Sequence, residues 1–179
     1  RNTARMYYNE FLDDDRSMRQ EEYALCHYSM GYLHFDEEQY EEALRWFNRY
    51  VSMQKGQDSP SLSDTYNRIA DCHFVRTRYQ EAIRYYDLAI ETGKADSDYA
   101  MFQKGFTMGL LDRPQEKVQV LTRLTRQLPN SNFVDDALFE IGRSYVVLND
   151  PDEARTYYET LVKDHPNSSY TIRAPVSYT

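Results

Sequence analysis

Glycine and proline are scarce in this chain of 179 residues, with six of each. So few backbone breakers exclude a many-turned β fold and point to helices. Long apolar runs are missing too, and no stretch approaches the roughly 18 residues of a transmembrane helix, so no membrane span is expected. No secretory leader is visible. The motifs of common chemistry are also lacking. There is no glycine-rich phosphate loop, no Cys-x-x-Cys and no His-Glu-x-x-His. Catalytic residues, metal ligands and cofactors are therefore not expected. The net charge of −8 repels phosphate backbones, which argues against a nucleic-acid partner.

What is present is helical patterning and tyrosine, seventeen residues of it. Acids are interleaved with arginines, as in Asp13-Asp14-Asp15-Arg16 and Glu41-Glu42…Arg45, the pattern of solvated helix faces. The 41% hydrophobic content suits a thin body whose core residues all lie near the surface.

Internal repetition dominates the chain. An alanine followed four residues later by an aromatic recurs at Ala4…Tyr8, Ala43…Phe47, Ala82…Tyr86 and Ala154…Tyr158. Three of these lie in matching phrases: Tyr40-Glu-Glu-Ala43, Tyr79-Gln-Glu-Ala82 and Pro151-Asp-Glu-Ala154. A weaker copy, Pro114-Gln-Glu-Lys117, ends at Leu121. Ahead of these alanine positions stand small residues, Gly31, Ala70, Gly105 and Gly142, each followed one turn on by His34, His73, Met108 or Tyr145. A small residue lets a neighbouring helix approach, and the bulky one fills the space beside it.

This pattern resembles the tetratricopeptide repeat, whose signature recurs at about 34 residues. The second copy reads Tyr66-x2-Ile69-Ala70-x2-His73…Ala82-x3-Tyr86. The fourth reads Leu138-x2-Ile141-Gly142-x2-Tyr145…Ala154-x3-Tyr158…Pro166. The resemblance implies an all-α, right-handed solenoid of antiparallel helix hairpins over residues 1–179. First (A) helices are expected at 18–35, 61–76, 97–110 and 133–147, and second (B) helices at 38–54, 79–92, 114–127 and 151–164. The repeats are thus 18–54, 61–92, a degenerate 97–127, and 133–164. In the degenerate copy, Lys104 and Lys117 depart from the pattern. Looser packing or outward-reaching lysine stems are expected there. Residues 2–13 read as a lone B helix and 168–179 as the start of a further helix or tail. Neither end carries a polar cap, so the native protein is expected to continue in both directions, and uncapped ends could self-associate.

The phrases Leu128-Pro-Asn-Ser131 and His165-Pro-Asn-Ser168, each followed by an aromatic, resemble bacterial cell-envelope repeat proteins. Examples are the lipoprotein of outer-membrane barrel assembly and the Tol–Pal coordinator. A periplasmic or envelope location follows from that likeness. Cys26 and Cys72 read as small apolar fillers whose helical offset forbids a disulfide. His34 and His73 occupy one repeat position, so packing explains them better than a metal site completed by His27. Asp36-Glu37-Glu38 read as acids favouring the start of a B helix.

In the family the A helices line a concave, ligand-binding surface. The equivalent stripe here comprises Leu25, Tyr28, Tyr32, Phe35 and Asp36, then Asp64, Asn67, Asp71, Phe74 and Val75. It continues with Tyr99, Phe102, Phe106, Gly109 and Leu110, and with Asp136, Phe139, Arg143, Val146 and Val147. Tyr28, Tyr32, Phe35, Asn67, Asp71, Phe74, Tyr99, Phe102, Phe106, Phe139 and Arg143 are the expected partner-binding residues. The lysine-rich clamp for a C-terminal carboxylate is absent at the corresponding positions. The resemblance implies a non-catalytic scaffold that binds a protein or peptide. The alternatives are a targeting module of a larger enzyme and a cytosolic adaptor, and sequence beyond residues 1 and 179 would separate them.

Overall fold

The computed structural model describes residues 2–14, 21–54, 60–93, 96–171 and 173. Among these residues it is all helix and turn, without strands. The helices are α1 (Asn2–Asp13), α2 (Glu21–Asp36), α3 (Tyr40–Met53), α4 (Pro60–Val75) and α5 (Tyr79–Glu91), then α6 (Ser97–Leu110), α7 (Pro114–Gln127), α8 (Val134–Val147) and α9 (Pro151–Asp164). Two compact units divide the chain, Arg1–Ala89 and Ile90–Thr179.

In the first unit the B helices bury one narrow stripe each. From α3 this is Ala43, Leu44, Phe47 and Tyr50, and from α5 it is Ala82, Ile83, Tyr86 and Ala89. The spacing of three and four residues brings each set onto one helix face. Gly31 on α2 lies against the ring of Phe47, so that a Cβ there would overlap Cδ1 and Cε1. The second unit repeats the device. A Cβ at Gly105 would sit 2.7 Å from Leu121 Cδ2, and one at Gly142 would sit 2.7 Å from Tyr158 Cε1. The small residue thus faces the bulky B-helix residue of its own hairpin, as the sequence pattern predicts. Pro114 and Pro151 occupy the first turns of α7 and α9, where a missing N–H is harmless. Asp150 caps α9 by accepting from the Glu153 N–H at 3.2 Å.

Every A-to-B turn has the same left-handed residue, and none is glycine: Glu38 (φ 60°), Thr77 (φ 58°), Asp112 (φ 55°) and Asn149 (φ 58°). Each sits in a Schellman-type closure. In the first, the Glu38 N–H donates to Phe35 O and the Gln39 N–H to His34 O, both at 2.9 Å. This corrects the capping reading of Asp36-Glu37-Glu38. Asp36 ends α2, Glu38 makes the turn, Glu37 pairs with Arg5, and Gln39 precedes α3 without a side-chain cap.

Other boundaries shift as well. Phe133 is the N-cap of α8 and not its first residue. Residues 168–171 form turns where a helix was expected to begin, and 172 and 174–179 lie outside the described residues. The expected first turn of α2 at 18–20 also lies outside them.

The degenerate repeat brings the largest correction. Lys117 does not reach outward. It is 8% exposed, packs against Gly109 and forms an ion pair with Glu140 on α8, itself 9% exposed. Glu140 also accepts from Arg143 Nη1 at 2.9 Å. A buried lysine at the usual alanine position is tolerated because the following A helix supplies its carboxylate.

The Pro-Asn-Ser phrases act as joints inside the second unit. Ser131 Oγ donates to Asp98 at 2.6 Å and accepts from the Phe133 N–H at 3.1 Å. Ser168 repeats this with Asp135 at 2.6 Å and the Tyr170 N–H at 3.2 Å. The aromatic that follows each phrase then covers the A helix before it. Phe133 stacks on Phe102 at 5.2 Å, and Tyr170 packs on Phe139 at 4.8 Å.

Candidate partner-binding faces

In the first unit, α2 and α4 present Tyr28, Tyr32 and Phe35 beside Asp64, Asn67, Asp71 and Phe74. Several of these side chains pair with one another. Tyr28 donates to Asp64 at 2.8 Å, and Tyr32 donates to the same carboxylate oxygen. Burial, reinforced by the Asp64 charge, pushes the Tyr28 phenol up to about 12 and raises Tyr32 further. Both stay protonated as donors. Arg68 bridges Asp64 and Asp71, at 3.7 and 2.8 Å, with its guanidinium over Phe35. Asp71 also accepts from Tyr86 at 2.7 Å. Asn67 is buried, and Phe74 packs on Tyr79 at 5.6 Å. This face is a closed network of rings and carboxylates. Its exposed apolar edge is Leu25 and Val75, at 49% and 52%.

The equivalent face of the second unit is more open. Tyr99 and Phe102 pack on Phe133, and Phe139 is buried between Tyr158 and Tyr170. Asp136 accepts from Tyr170, a bond that holds the Tyr170 phenol up at about 12. Burial in turn raises the Asp136 carboxyl. Phe106 (38% exposed), Leu110 (49%), Val146 (43%) and Val147 (68%) do face solvent. Phe106, Leu110 and Val147 border a cavity of about 320 Å³ with Arg143 and Ser144, and the Lys117–Glu140 pair is part of its wall. Arg143 lies over Phe139 at 5.9 Å and leaves most of its side chain in solvent. This arrangement places apolar contact area next to one accessible cation.

Of the eleven expected partner-binding residues, Phe106 and Arg143 therefore reach this open cavity. Tyr28, Tyr32, Phe35, Asn67, Asp71, Phe74, Tyr99, Phe102 and Phe139 are engaged in packing or hydrogen bonds inside their units. Glu140 was missed by the sequence reading. Its signal was the lysine at position 117, which needs a carboxylate once buried.

The remaining chemical candidates pack. His27 is buried with Nδ1 2.9 Å from Tyr23 O, and burial lowers its pKa. His34 stacks on Trp46 at 6.4 Å and His73 on Tyr85 at 5.5 Å, the place that Tyr145 and Tyr157 fill in the fourth repeat. Among the described residues no His, Cys, Asp and Glu cluster suits a metal. Cys26 and Cys72 are free and buried, and burial pushes the Cys72 thiol up to about 12, which makes it unreactive. None of the described helices is long and apolar enough to cross a membrane.

Family models described as tetratricopeptide repeat match residues 22–95 and 136–168. No curated protein matches the chain. Among solved structures, the protein MamA is similar at a TM-score of 0.72 with 16% identity, over 89% of this chain and 85% of that one. A MamA segment from Desulfovibrio magneticus RS-1 gives 0.66 with 15% identity, over 81% and 77%. YrrB, described as a tetratricopeptide protein with an unusual peptide-binding site, gives 0.69 with 18% identity, over 97% and 84%. At such identities these likenesses establish the fold alone.

Proposed function

We propose, from the premise that the chain belongs to the tetratricopeptide repeat family, that it is a non-catalytic scaffold binding a peptide or protein segment on the A-helix face of its second unit. The observation that carries this reading is the solvent-facing set Phe106, Leu110 and Val147 around one cavity with Arg143. Apolar side chains exposed on two rigid helices present contact area to solvent. They supply contact area at low entropy cost, and the guanidinium adds a directional hydrogen-bond donor. YrrB, described as having an unusual peptide-binding site, shares this fold, which is consistent with such use. The first unit contributes less by this account, because its tyrosines are committed to Asp64.

The cellular setting we propose is the bacterial envelope, on the likeness of the two Pro-Asn-Ser joints to envelope repeat proteins. Fractionation of the native protein tests it, and recovery in the cytosol would count against it. For the binding face, the immobilised chain is used to capture partners from a bacterial lysate. Phe106→Ser/Val147→Ser is expected to reduce capture by about tenfold while helix content and melting stay unchanged. Equal capture by the folded variant would refute the assignment. Phe102 is unsuitable for this test because its ring stacks on Phe133.

A further inference from the structure

A second cavity, of about 540 Å³, lies between α7 and the α8–α9 hairpin and shares no lining residue with the one beside Phe106. Arg123 and Arg126 line it from α7, and the stacked rings of Tyr145 and Tyr157, 5.5 Å apart, line it from the hairpin. The arginines stand three residues apart, on one helix face. Arg123 Nε donates to Gln127 at 2.8 Å, and among the described residues neither arginine has an ion-pair partner. No acidic residue lines the cavity, although the chain as a whole carries −8. The buried Oγ1 of Thr122, another lining residue, has no hydrogen-bond partner among the described residues.

Hairpin packing accounts for the Tyr145–Tyr157 stack, which recurs in the first two repeats as His34–Trp46 and His73–Tyr85, but it does not require both arginines. The equivalent positions are Arg49 and Ser52 in α3, Leu88 and Glu91 in α5, and Thr160 and Lys163 in α9, so α7 alone carries an arginine at both. A cation in the last turn of a helix complements its dipole, which accounts for Arg126 but not for Arg123.

We propose that this cavity binds an acidic peptide segment. Its carboxylates would meet the Arg123 and Arg126 guanidiniums, and an apolar or aromatic side chain would lie against the Tyr145–Tyr157 stack. Guanidinium forks match carboxylates in geometry and charge, and a bound carboxylate relieves the mutual repulsion of two arginines set a turn apart. An aromatic neighbour adds area without much entropy loss. The site is independent of the Phe106 face, so one chain could hold two segments of a partner.

The test is fluorescence anisotropy of a labelled peptide of alternating glutamate and phenylalanine, titrated with the full chain. Saturable binding is expected, weakened by added salt and by about tenfold or more in Arg123→Gln/Arg126→Gln. Phe106→Ser/Val147→Ser should bind this peptide as the wild type does, which separates the two sites. A lysine-for-glutamate peptide should not bind. Absence of saturable binding to the wild type, or unchanged affinity in the folded double arginine variant, would overturn the proposal. So would displacement by inorganic phosphate at the peptide's own concentration, because the cavity would then be a simple oxyanion site.

Discussion

At the scale of single residues, two substitutions decide whether the packing argument holds. Gly31 faces the fully buried ring of Phe47. In an open helix, alanine in place of glycine stabilises by about 1 kcal/mol. Here the added Cβ has nowhere to go, and overpacking by one methyl in a rigid core costs about 1–3 kcal/mol. Gly31→Ala should therefore lower the urea midpoint, and Phe47→Leu in the same chain should recover part of the loss. A stabilised Gly31→Ala chain would contradict the contact. The second case is the buried pair. Glu140→Met leaves Lys117 buried without its carboxylate, at about 3–5 kcal/mol. Lys117→Met should cost less, because Arg143 still donates to Glu140. With both replaced by methionine, stability should return close to that of the wild type. Additive losses in this double-mutant cycle would mean that the two residues do not act as a pair.

At the scale of elements, the helices were legible because each hairpin's key contact lies within one short stretch of sequence. Gly31 and Phe47, Gly105 and Leu121, and Gly142 and Tyr158 sit at the same separation, so repetition exposed both partners at once. The turns were less legible. A left-handed residue normally announces itself as glycine, and here Glu38, Thr77, Asp112 and Asn149 fill that place. At Glu38 the acidic character read as capping instead. Thr77 is the costliest of the four, because a β-branched side chain disfavours positive φ. The left-handed conformation costs an L-residue about 1–2 kcal/mol. Thr77→Gly should raise stability by up to about 1 kcal/mol, since glycine's extra unfolded-state entropy offsets part of the gain. A loss of stability by thermal melting would show that Thr77 makes a contact that outweighs its backbone strain.

At the scale of the whole chain, what the sequence could not reveal is which stripe residues are spent on packing. Helical position alone puts Tyr28, Phe102 and Phe106 on equivalent faces. Only the neighbouring element decides their fate: Asp64 claims Tyr28, the joint aromatic Phe133 claims Phe102, and Phe106 stays partly exposed. Lys117 was misread for the same reason, because its carboxylate comes from the following repeat. Family membership explains why rigid hairpins are repeated, and in the proposed function that rigidity serves to present the exposed residues of α6 and α8. Hydrogen–deuterium exchange of the chain, alone and with a captured partner, tests this most directly. The account predicts that protection rises over 97–110 and 134–147, centred on Phe106, Leu110 and Val147. Protection confined to α1, α3 and α5, with α6 and α8 unchanged, would contradict it.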